Sequence, residues 1–375
     1  MNFVFVSNYF THHQKPFCDA MHMATKGRFT FIETESMSEE RRRMGWGDIN
    51  KPEYVKELSY RSAVGKKEIC QILNNADVVI QGTIHDNLIF KRLRKGKLTF
   101  IYTERLYKST RRYLKLPIHL LKGIILRKAY ILCAGGYVAR DYSITRSNMG
   151  KMYKWGYFPE HIEYDSIDDL ISKKNNNSII WAGRFIDWKH PDLPILVAKR
   201  LKEDGRSFVM NIIGTGPMEG LLRDLVDTYG LKESVHLLGA KSPEEVRQYM
   251  EKSEIHLFTS DQNEGWGAVL NESMNSGCAV VANCMIGSVP FLIQDGINGV
   301  LYSNGDYEEL YEKVVYLMDN PCQRKQISKK AYQTIVQEWN ANIAAHSFLQ
   351  LCNALLNGDK SLIKDSEICS PAQII

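Results

Sequence analysis

The most constraining feature of this sequence is a regular alternation of short apolar segments with longer amphipathic ones. The apolar segments have the length and the β-branched or aromatic content of buried strands, and most of the intervening segments are long enough for a helix. This alternation predicts parallel sheets covered by helices on both faces. The predicted strands are residues 2–7, 29–33, 76–82, 98–103, 129–135, 178–183, 207–214, 234–239, 255–260, 278–284 and 299–303.

The length of 375 residues exceeds what a single hydrophobic core normally organises, so two domains are expected. The polar run "SKKNNNS", residues 172–178, separates two groups of predicted strands and has the composition of a linker. We therefore predict two doubly wound α/β domains, 1–170 and 177–338. Residues 339–375 are expected to form a C-terminal helix that packs back toward the N-terminal domain, and a tail.

The sequence gives no sign of a targeting or membrane-spanning segment. The start, "MNFVFVSNYF", has no basic region before its apolar residues, and no segment approaches 18 uninterrupted apolar residues. The eight cysteines lack the Cys-x-x-Cys or Cys/His spacing of a zinc site. Buried thiols in a reducing cytosol are therefore the expectation.

Positive charge is concentrated between Glu104 and Asp141, a stretch that contains no acidic residue. Four of its cations follow the spacing of one helical face, and leucines and isoleucines flank them: Lys108, Arg111, Arg112 and Lys115. One interpretation is a solvated basic face. The other is attraction to an anionic membrane surface, which fits better than nucleic acid because no base-stacking aromatic array or nucleic-acid module accompanies the cations.

Polar and glycine-rich residues follow the predicted strands of the second half, where doubly wound sheets bind ligands. Arg184 and Lys189 stand in "GRFIDWKH", and Gly214 and Gly216 stand in "GTGP" before a predicted helix. Alone, the glycines are ordinary helix-start residues and the cations could be surface charge. Together they indicate a site for a diphosphate, built from two cations and helix N-termini.

The stretch "TSDQNEGWGAVLNESMNSG", residues 259–277, places Glu264 and Glu272 on either side of a "GWG" turn. These glutamates could be a helix-terminus acid and a solvated helix residue, or both could line one cleft. The two glycines favour the second interpretation because they let the backbone approach a ligand closely.

In sequence order, "GRFIDWKH", "GTGP", "EGWGAVLNESMNSGCAVVA" and "DGINGVLY" resemble the C-terminal half of the family four retaining glycosyltransferases, over about residues 179–303. The resemblance implies the α/β GT-B fold, with two doubly wound, Rossmann-like domains facing a central cleft. It also implies transfer of a sugar from a nucleotide sugar with retention of anomeric configuration.

The resemblance assigns roles to individual residues. Arg184 and Lys189 would hold the nucleotide diphosphate and neutralise the leaving group, Glu264 would contact the donor sugar, and Glu272 would bind the ribose. Other nucleotide-sugar contacts would come from Gly214, Gly216, Ala240, Lys241, Gly265, Trp266, Gly267, Ala268 and Val269. Of these, Ala240 and Lys241 would meet the base, and residues 265–269 would act through their backbone.

The amino-terminal half departs from the family pattern. The loop "SNYFTHHQKPF" follows the first strand where many members carry a glycine pair, which makes His13 and Gln14 candidates for substrate contact. His85, in "QGTIHD", and Glu104, in "YTER", are candidate catalytic residues after later strands. A histidine in a loop is also a common surface residue, so both interpretations stay open for His13 and His85.

These features predict a retaining glycosyltransferase for cell-surface polysaccharide biosynthesis, with a UDP-sugar favoured as donor and a lipid-linked or saccharide acceptor. No Asp-x-Asp pair ends a strand, so neither a catalytic metal nor a cofactor beyond the nucleotide-sugar co-substrate is expected. Catalysis would rest on fixed positive charge. The expected location is peripheral, at the cytoplasmic face of the cell membrane. The alternatives are a soluble acceptor and a nucleotide-sugar-binding protein without activity; a dinucleotide-dependent oxidoreductase is disfavoured because no Gly-x-Gly-x-x-Gly follows a strand.

Overall fold

The computed structural model describes residues 1–37, 50–84, 86–106, 125–144, 148–363 and 367–375. The chain forms two compact units: Met1–Glu160 with Trp339–Ile375, and His161–Glu338. The boundary therefore precedes the predicted linker, and residues 172–178 lie inside the second unit. Lys174 explains the difference, because its buried ammonium donates to the carbonyl oxygens of Met250 and Ser276, each at 2.8 Å. A lysine of the polar run thus donates hydrogen bonds to carbonyl oxygens at helix C-termini, and the run is not a solvent-exposed linker.

The first unit contains a parallel sheet of seven described strands in the order β3-β2-β1-β4-β5-β6-β7. Its strands are β1 Phe3–Ser7, β2 Phe29–Glu33, β3 Val55–Glu57, β4 Val78–Gln81, β5 Thr99–Thr103, β6 Tyr130–Ala134 and β7 Met152–Trp155. The predicted strands of this half are confirmed, with equal or tighter bounds. β3 and β7 were not predicted. β3 has three residues and little burial, and β7, "MYKW", lacks β-branched residues.

Helices α1 Lys15–Ala24, α2 Ala63–Asn75, α3 Phe90–Arg94 and α4 Val138–Ile144 lie between these strands. Local sequence explains two of the helix starts. Pro16 occupies the first turn of α1, where a missing N–H costs nothing. Ser62 caps α2 by accepting a hydrogen bond from the Gly65 amide.

A buried arginine joins α3 to two neighbouring segments of the first unit, residues 73–77 and 98–99. Arg92, on α3, is fully buried, and its guanidinium makes five hydrogen bonds of 2.6–2.9 Å. The acceptors are four backbone carbonyls, those of Leu73, Ala76, Asp77 and Leu98, and the hydroxyl of Thr99. Burial lowers the pKa of Arg92 to about 10. All five donors of the guanidinium thus have partners, which is the condition for burying it.

The second unit contains a six-stranded parallel sheet in the order β10-β9-β8-β11-β12-β13. Its strands are β8 Ser178–Ala182, β9 Val209–Ile213, β10 Val235–Leu237, β11 Ile255–Phe258, β12 Ala279–Asn283 and β13 Val300–Tyr302. Every strand predicted for this half is present. The order reverses between β8 and β11, so the carboxyl ends of these two strands mark the position where doubly wound sheets bind ligands.

Eight described helices belong to this unit: α5 Ile167–Ser172, α6 Asp192–Glu203, α7 Glu219–Thr228, α8 Pro243–Lys252, α9 Val269–Asn275, α10 Val289–Leu292, α11 Tyr307–Asp319 and α12 Pro321–Gln337. Ser242 and Glu245 form a reciprocal capping box at the start of α8. On α12, Arg324 forms a buried ion pair of 2.6 Å with Glu254, directly before β11.

After α12 the chain returns to the first unit, as expected for the C-terminal helix. Helix α13, Ala341–Asn357, begins at the Asn340 cap and buries Phe348 completely. The ring of Phe348 contacts those of Phe17, Phe100 and Trp155, with centroids 4.9–6.4 Å apart. Thus α13 completes the core of the first unit. Within the described ranges, no helix combines the length and apolar character needed to cross a membrane.

Candidate active site

A buried threonine joins the loops that follow β8 and β11. Thr259 accepts a hydrogen bond from Trp181 Nε1 at 2.8 Å and shares its own proton between the carbonyl oxygens of Lys189 and His190, at 2.9 and 3.0 Å. A backbone bond from the Asp261 amide to the Trp188 carbonyl, 2.9 Å, runs beside it. The two loops are therefore fixed to each other at the point where the strand order reverses.

This fixed geometry brings two predicted residues into direct contact. Lys189 ends a short 3-10 turn, Asp187–Lys189, and its Nζ lies 2.5 Å from Glu264 Oε2. Ser260 Oγ donates to the same carboxylate oxygen at 3.2 Å. The side chains of Lys189 and Glu264 are only 13% and 11% exposed, so solvent screens their charges weakly.

Arg184 lies at the same edge of the sheet and is exposed. Its guanidinium carbon lies 5.9 Å from the centroid of the Trp188 ring, and Lys189 Nζ lies 5.1 Å from the same centroid. Both cations therefore flank one indole. Among the described residues Arg184 has no ion-pair partner, so its charge remains directed to solvent or to a ligand.

The residues of the "GWG" turn, Gly265–Gly267, lie so close to neighbouring groups that a side chain at positions 267 and 287 would not fit. Gly267 has φ +78°, and a Cβ there would lie 2.3 Å from the Phe258 ring. A Cβ on Gly287, in the loop after β12, would lie 1.8 Å from the carbonyl oxygen of Gly265. Positions 267 and 287 therefore require glycine.

Trp266, between the two glycines, points into the core. It is fully buried, and its Nε1 donates to Asn271 Oδ1 at 2.9 Å. Its side chain anchors the turn, so any ligand contact at position 266 is made by the backbone. Ala268 caps α9, and Val269 is the first residue of that helix.

Glu272 lies in the first turn of α9 and is half-buried. Burial raises the pKa of Glu272 to about 7, an effect that the positive charge of Arg247 opposes. Arg247 comes from α8 and donates to Asn275 Oδ1 at 2.8 Å. A carboxyl group that changes charge near neutral pH is typical of a functional position, although structural networks also produce such shifts.

The "GTGP" glycines have a clear packing role. A Cβ on Gly214 would lie 1.8 Å from the Gly183 carbonyl oxygen, and one on Gly216 would lie 2.5 Å from that of Phe185. The Gly214 amide donates to the Gly239 carbonyl at 2.9 Å. These contacts join the loops after β8, β9 and β10. Ala240 and Lys241 come directly after the last of these loops. A nucleotide contact by Gly214, Gly216, Ala240 and Lys241 remains a prediction.

The structure describes three of the four candidates in the first unit. Burial, with a smaller contribution from His12, lowers the pKa of His13 to about 3, so the imidazole is neutral at neutral pH. Gln14 Oε1 accepts from the amide and hydroxyl of Thr11, both at 3.2 Å. Glu104 accepts a hydrogen bond from Tyr157. His85 and the basic face of Lys108, Arg111, Arg112 and Lys115 lie outside the described residues.

Sequence reasoning missed Thr259, Ser260, Gly287 and Tyr157. Thr259 and Ser260 directly follow β11, so their position at a strand end was a usable signal. Gly287 and Tyr157 act on residues distant in the sequence, and no local pattern marks them.

Comparison with solved structures defines the class of fold. A crystal structure of HepE from Anabaena in complex with UDP superposes with a TM-score of 0.70 at 13% identity, covering 95% of this chain and 100% of that chain. A glycosyltransferase structure from Rickettsia africae gives a TM-score of 0.70 at 14% identity, covering 95% and 98%. This chain has the GT-B fold of such glycosyltransferases.

Comparison of sequences shows what the second unit is similar to. Residues 165–334 match the family described as Glycosyl transferases group 1. The amylovoran biosynthesis glycosyltransferase AmsK of Erwinia amylovora is 27% identical over 182 residues, which cover 47% of this chain and 44% of AmsK. The chain thus matches less than half the length of this relative.

Proposed function

We propose that this protein is a retaining, metal-independent glycosyltransferase that uses a nucleotide sugar, with a UDP-sugar favoured. The observation that carries the proposal is the meeting of Lys189, Arg184 and Glu264 at the point where the strand order of the second sheet reverses. The match of residues 165–334 to glycosyltransferase group 1 supports it, as does the UDP bound to HepE in a structure of the same fold.

The two cations act on the leaving group. During transfer, the bond from the anomeric carbon to the donor phosphate breaks, and a bond from that carbon to the acceptor oxygen forms on the same face. The acceptor proton passes to the departing phosphate. Arg184 and Lys189 stabilise the negative charge that develops there, from positions fixed before the reaction.

Glu264 is assigned to the donor sugar. Its carboxylate pairs with Lys189 at 2.5 Å. Donor phosphates compete for that ammonium, which leaves the carboxylate to accept hydrogen bonds from sugar hydroxyls. Glu272 is assigned to the ribose, because an ionised carboxylate accepts from both ribose hydroxyls.

The proposed acceptor is a lipid-linked saccharide in cell-surface polysaccharide assembly, reached from the cytoplasmic face of the membrane. The role of AmsK in amylovoran biosynthesis supports this class of acceptor. The cluster of Lys108, Arg111, Arg112 and Lys115 in the sequence supports the membrane location. A soluble acceptor and a non-catalytic nucleotide-sugar-binding protein are the alternatives.

Nucleotide binding and turnover test the proposal together. Thermal shift and calorimetry with UDP, GDP and ADP, each with and without EDTA, should show preferential UDP binding that EDTA does not change. Hydrolysis of UDP-glucose, UDP-galactose and UDP-N-acetylglucosamine should then release UDP, and Lys189→Ala should slow the release. Absence of binding to all three nucleotides would contradict the proposal, and binding without release would favour the non-catalytic alternative.

A further inference from the structure

One indole contacts both cations of the candidate site. The centroid of the Trp188 ring lies 5.1 Å from Lys189 Nζ and 5.9 Å from the guanidinium carbon of Arg184. Both distances fall within about 6 Å, the range over which the negative face of an aromatic ring attracts a cation. Trp188 therefore has a direct electrostatic interaction with each group assigned to the donor diphosphate.

The backbone that carries this indole is held in place. Trp188 is half-buried and is the central residue of the 3-10 turn Asp187–Lys189. Its carbonyl oxygen accepts from the Asp261 amide at 2.9 Å. The two carbonyl oxygens that follow it in the chain accept from the Thr259 hydroxyl at 2.9 and 3.0 Å. The ring thus stands on a segment that is fixed to the loop after β11.

The contact with Trp188 matters more for Arg184 than for Lys189. Lys189 is also held by the carboxylate of Glu264, at 2.5 Å, and its stem lies over the end of β8, where a Cβ on Gly183 would be 3.3 Å from Lys189 Cδ. Arg184 is exposed. A long exposed side chain keeps rotamer freedom that must be lost when it binds a ligand. An aromatic contact that limits this freedom beforehand makes binding more favourable.

We propose that Trp188 is a positioning residue that holds the guanidinium of Arg184 in place for the donor diphosphate. This inference rests on the proposed function. A guanidinium offers a planar set of donors that can bind two phosphate oxygens at once, so its orientation determines how many bonds it makes. An indole attracts the guanidinium without neutralising it as a carboxylate would. The full positive charge of Arg184 therefore stays available to a nucleoside diphosphate or to inorganic pyrophosphate.

Calorimetry with UDP and with pyrophosphate tests the proposal on two variants of Trp188. Trp188→Leu removes the ring and keeps an apolar side chain, whereas Trp188→Tyr keeps a ring. We expect Trp188→Leu to weaken the binding of each ligand about two- to fivefold, the scale of one cation–π contact at an exposed site. Trp188→Tyr should retain most of the affinity of the parent. The matched control is Tyr229→Leu, which removes a ring 5.1 Å from Lys199 Nζ in the same unit and should bind as the parent does.

A double-mutant cycle with Arg184→Gln separates positioning from a packing role. If Trp188 acts through Arg184, Trp188→Leu should cost less affinity in the Arg184→Gln protein than in the parent. Equal losses in the two backgrounds would mean that Trp188 only packs in the loop, and they overturn the inference. Binding by Trp188→Leu that equals that of the parent also overturns it.

NMR of protein carrying 15N-arginine tests the contact without any ligand. The Nε–H signal of Arg184, assigned with Arg184→Gln, should show a ring-current shift in the parent that Trp188→Leu removes. An unchanged signal in Trp188→Leu overturns the inference, whatever the protein binds. Failure of the parent to bind UDP and pyrophosphate would instead contradict the proposed function, even where the NMR signal demonstrates the contact.

Discussion

The ammonium of Lys189 lies 2.5 Å from the carboxylate of Glu264, although 75 positions separate the two residues in the sequence. Each residue follows a different strand of the second sheet, so the pair forms only when β8 and β11 are adjacent. Each charge neutralises the other in a largely buried position. Loss of either partner leaves the other uncompensated, which is costly in such surroundings.

Replacement of Lys189 should impair transfer. We expect Lys189→Ala to raise the barrier by about 2–4 kcal/mol, the scale for loss of one preorganised stabilising group. The measurement is kcat/KM for UDP-sugar turnover. Lys199→Ala, at a half-buried cation on α6 that pairs with Glu203, is the control and should behave as the parent. Equal kcat/KM values for Lys189→Ala and the parent would show that Lys189 does not act in catalysis.

Nucleotide affinity should depend on pH through Glu272. Burial raises the pKa of this carboxyl to about 7, so it is mostly protonated below pH 7 and mostly ionised above it. If the ionised form accepts from both ribose hydroxyls, as proposed, calorimetry should show tighter UDP binding at pH 8 than at pH 6. Glu272→Gln should weaken binding and remove this dependence, whereas Glu264→Gln should chiefly slow turnover. A pH-independent UDP affinity in the parent would contradict the assignment.

The close contact between Gly287 and Gly265 should tolerate no side chain. A Cβ at position 287 would lie 1.8 Å from a backbone oxygen, so Gly287→Ala must displace the "GWG" turn. We expect a loss of about 1–3 kcal/mol in the free energy of unfolding and weaker UDP binding. Gly220→Ala, on α7 with open space around it, should instead be neutral or slightly stabilising. Urea unfolding and calorimetry would reveal whether the two variants differ.

A buried histidine should make the protein sensitive to acid. His256, on β11, is 1% exposed, and burial lowers its pKa from 6.5 to about 3. Between these values the unfolded chain binds a proton that the folded chain does not. Stability from this group is therefore lost as pH falls from 6.5 toward 3. Urea unfolding at pH 7 and 5 should show a smaller loss for His256→Leu than for the parent. The exposed His346→Gln should retain the loss, and equal losses in all three proteins would contradict the prediction.

Membrane attachment should depend on the predicted basic face. Four cations near an anionic leaflet contribute about 1 kcal/mol each, screened beyond about 8 Å at physiological salt. We expect co-sedimentation with phosphatidylglycerol vesicles, no binding to zwitterionic vesicles, and release at high salt. Serine at Lys108, Arg111, Arg112 and Lys115 should abolish binding. Serine at three cations of the second unit, Lys199, Arg223 and Lys232, should not. Absent or salt-insensitive binding by the parent would favour a soluble acceptor.

The strands that could be predicted from the sequence are those whose burial gives them a recognisable apolar pattern. Strands buried on both faces, such as β8 and β12, are continuous apolar runs and were recognised. β3 has little burial, so its sequence contains no such apolar run. The run at 172–178 was misread because a lysine at the surface and a buried lysine that caps helix ends look alike in sequence.

The site was predictable where its residues follow strands or match the family pattern, as Lys189 and Glu264 do. The partners that hold these residues were harder to find. Tyr157 and Gly287 contact chain segments that are distant in sequence, and only the folded backbone brings them together.

The return of α13 to the first unit has a consequence for synthesis on the ribosome. Phe17, Phe100 and Trp155 emerge early, but Phe348, which packs against all three, emerges only after the whole of the second unit. At about 5–20 residues per second, this delay is roughly 10–40 s. During that interval the nascent first unit exposes an aromatic surface while a complete second unit folds. Chaperone binding to the nascent chain is therefore expected to end when α13 emerges and covers that surface.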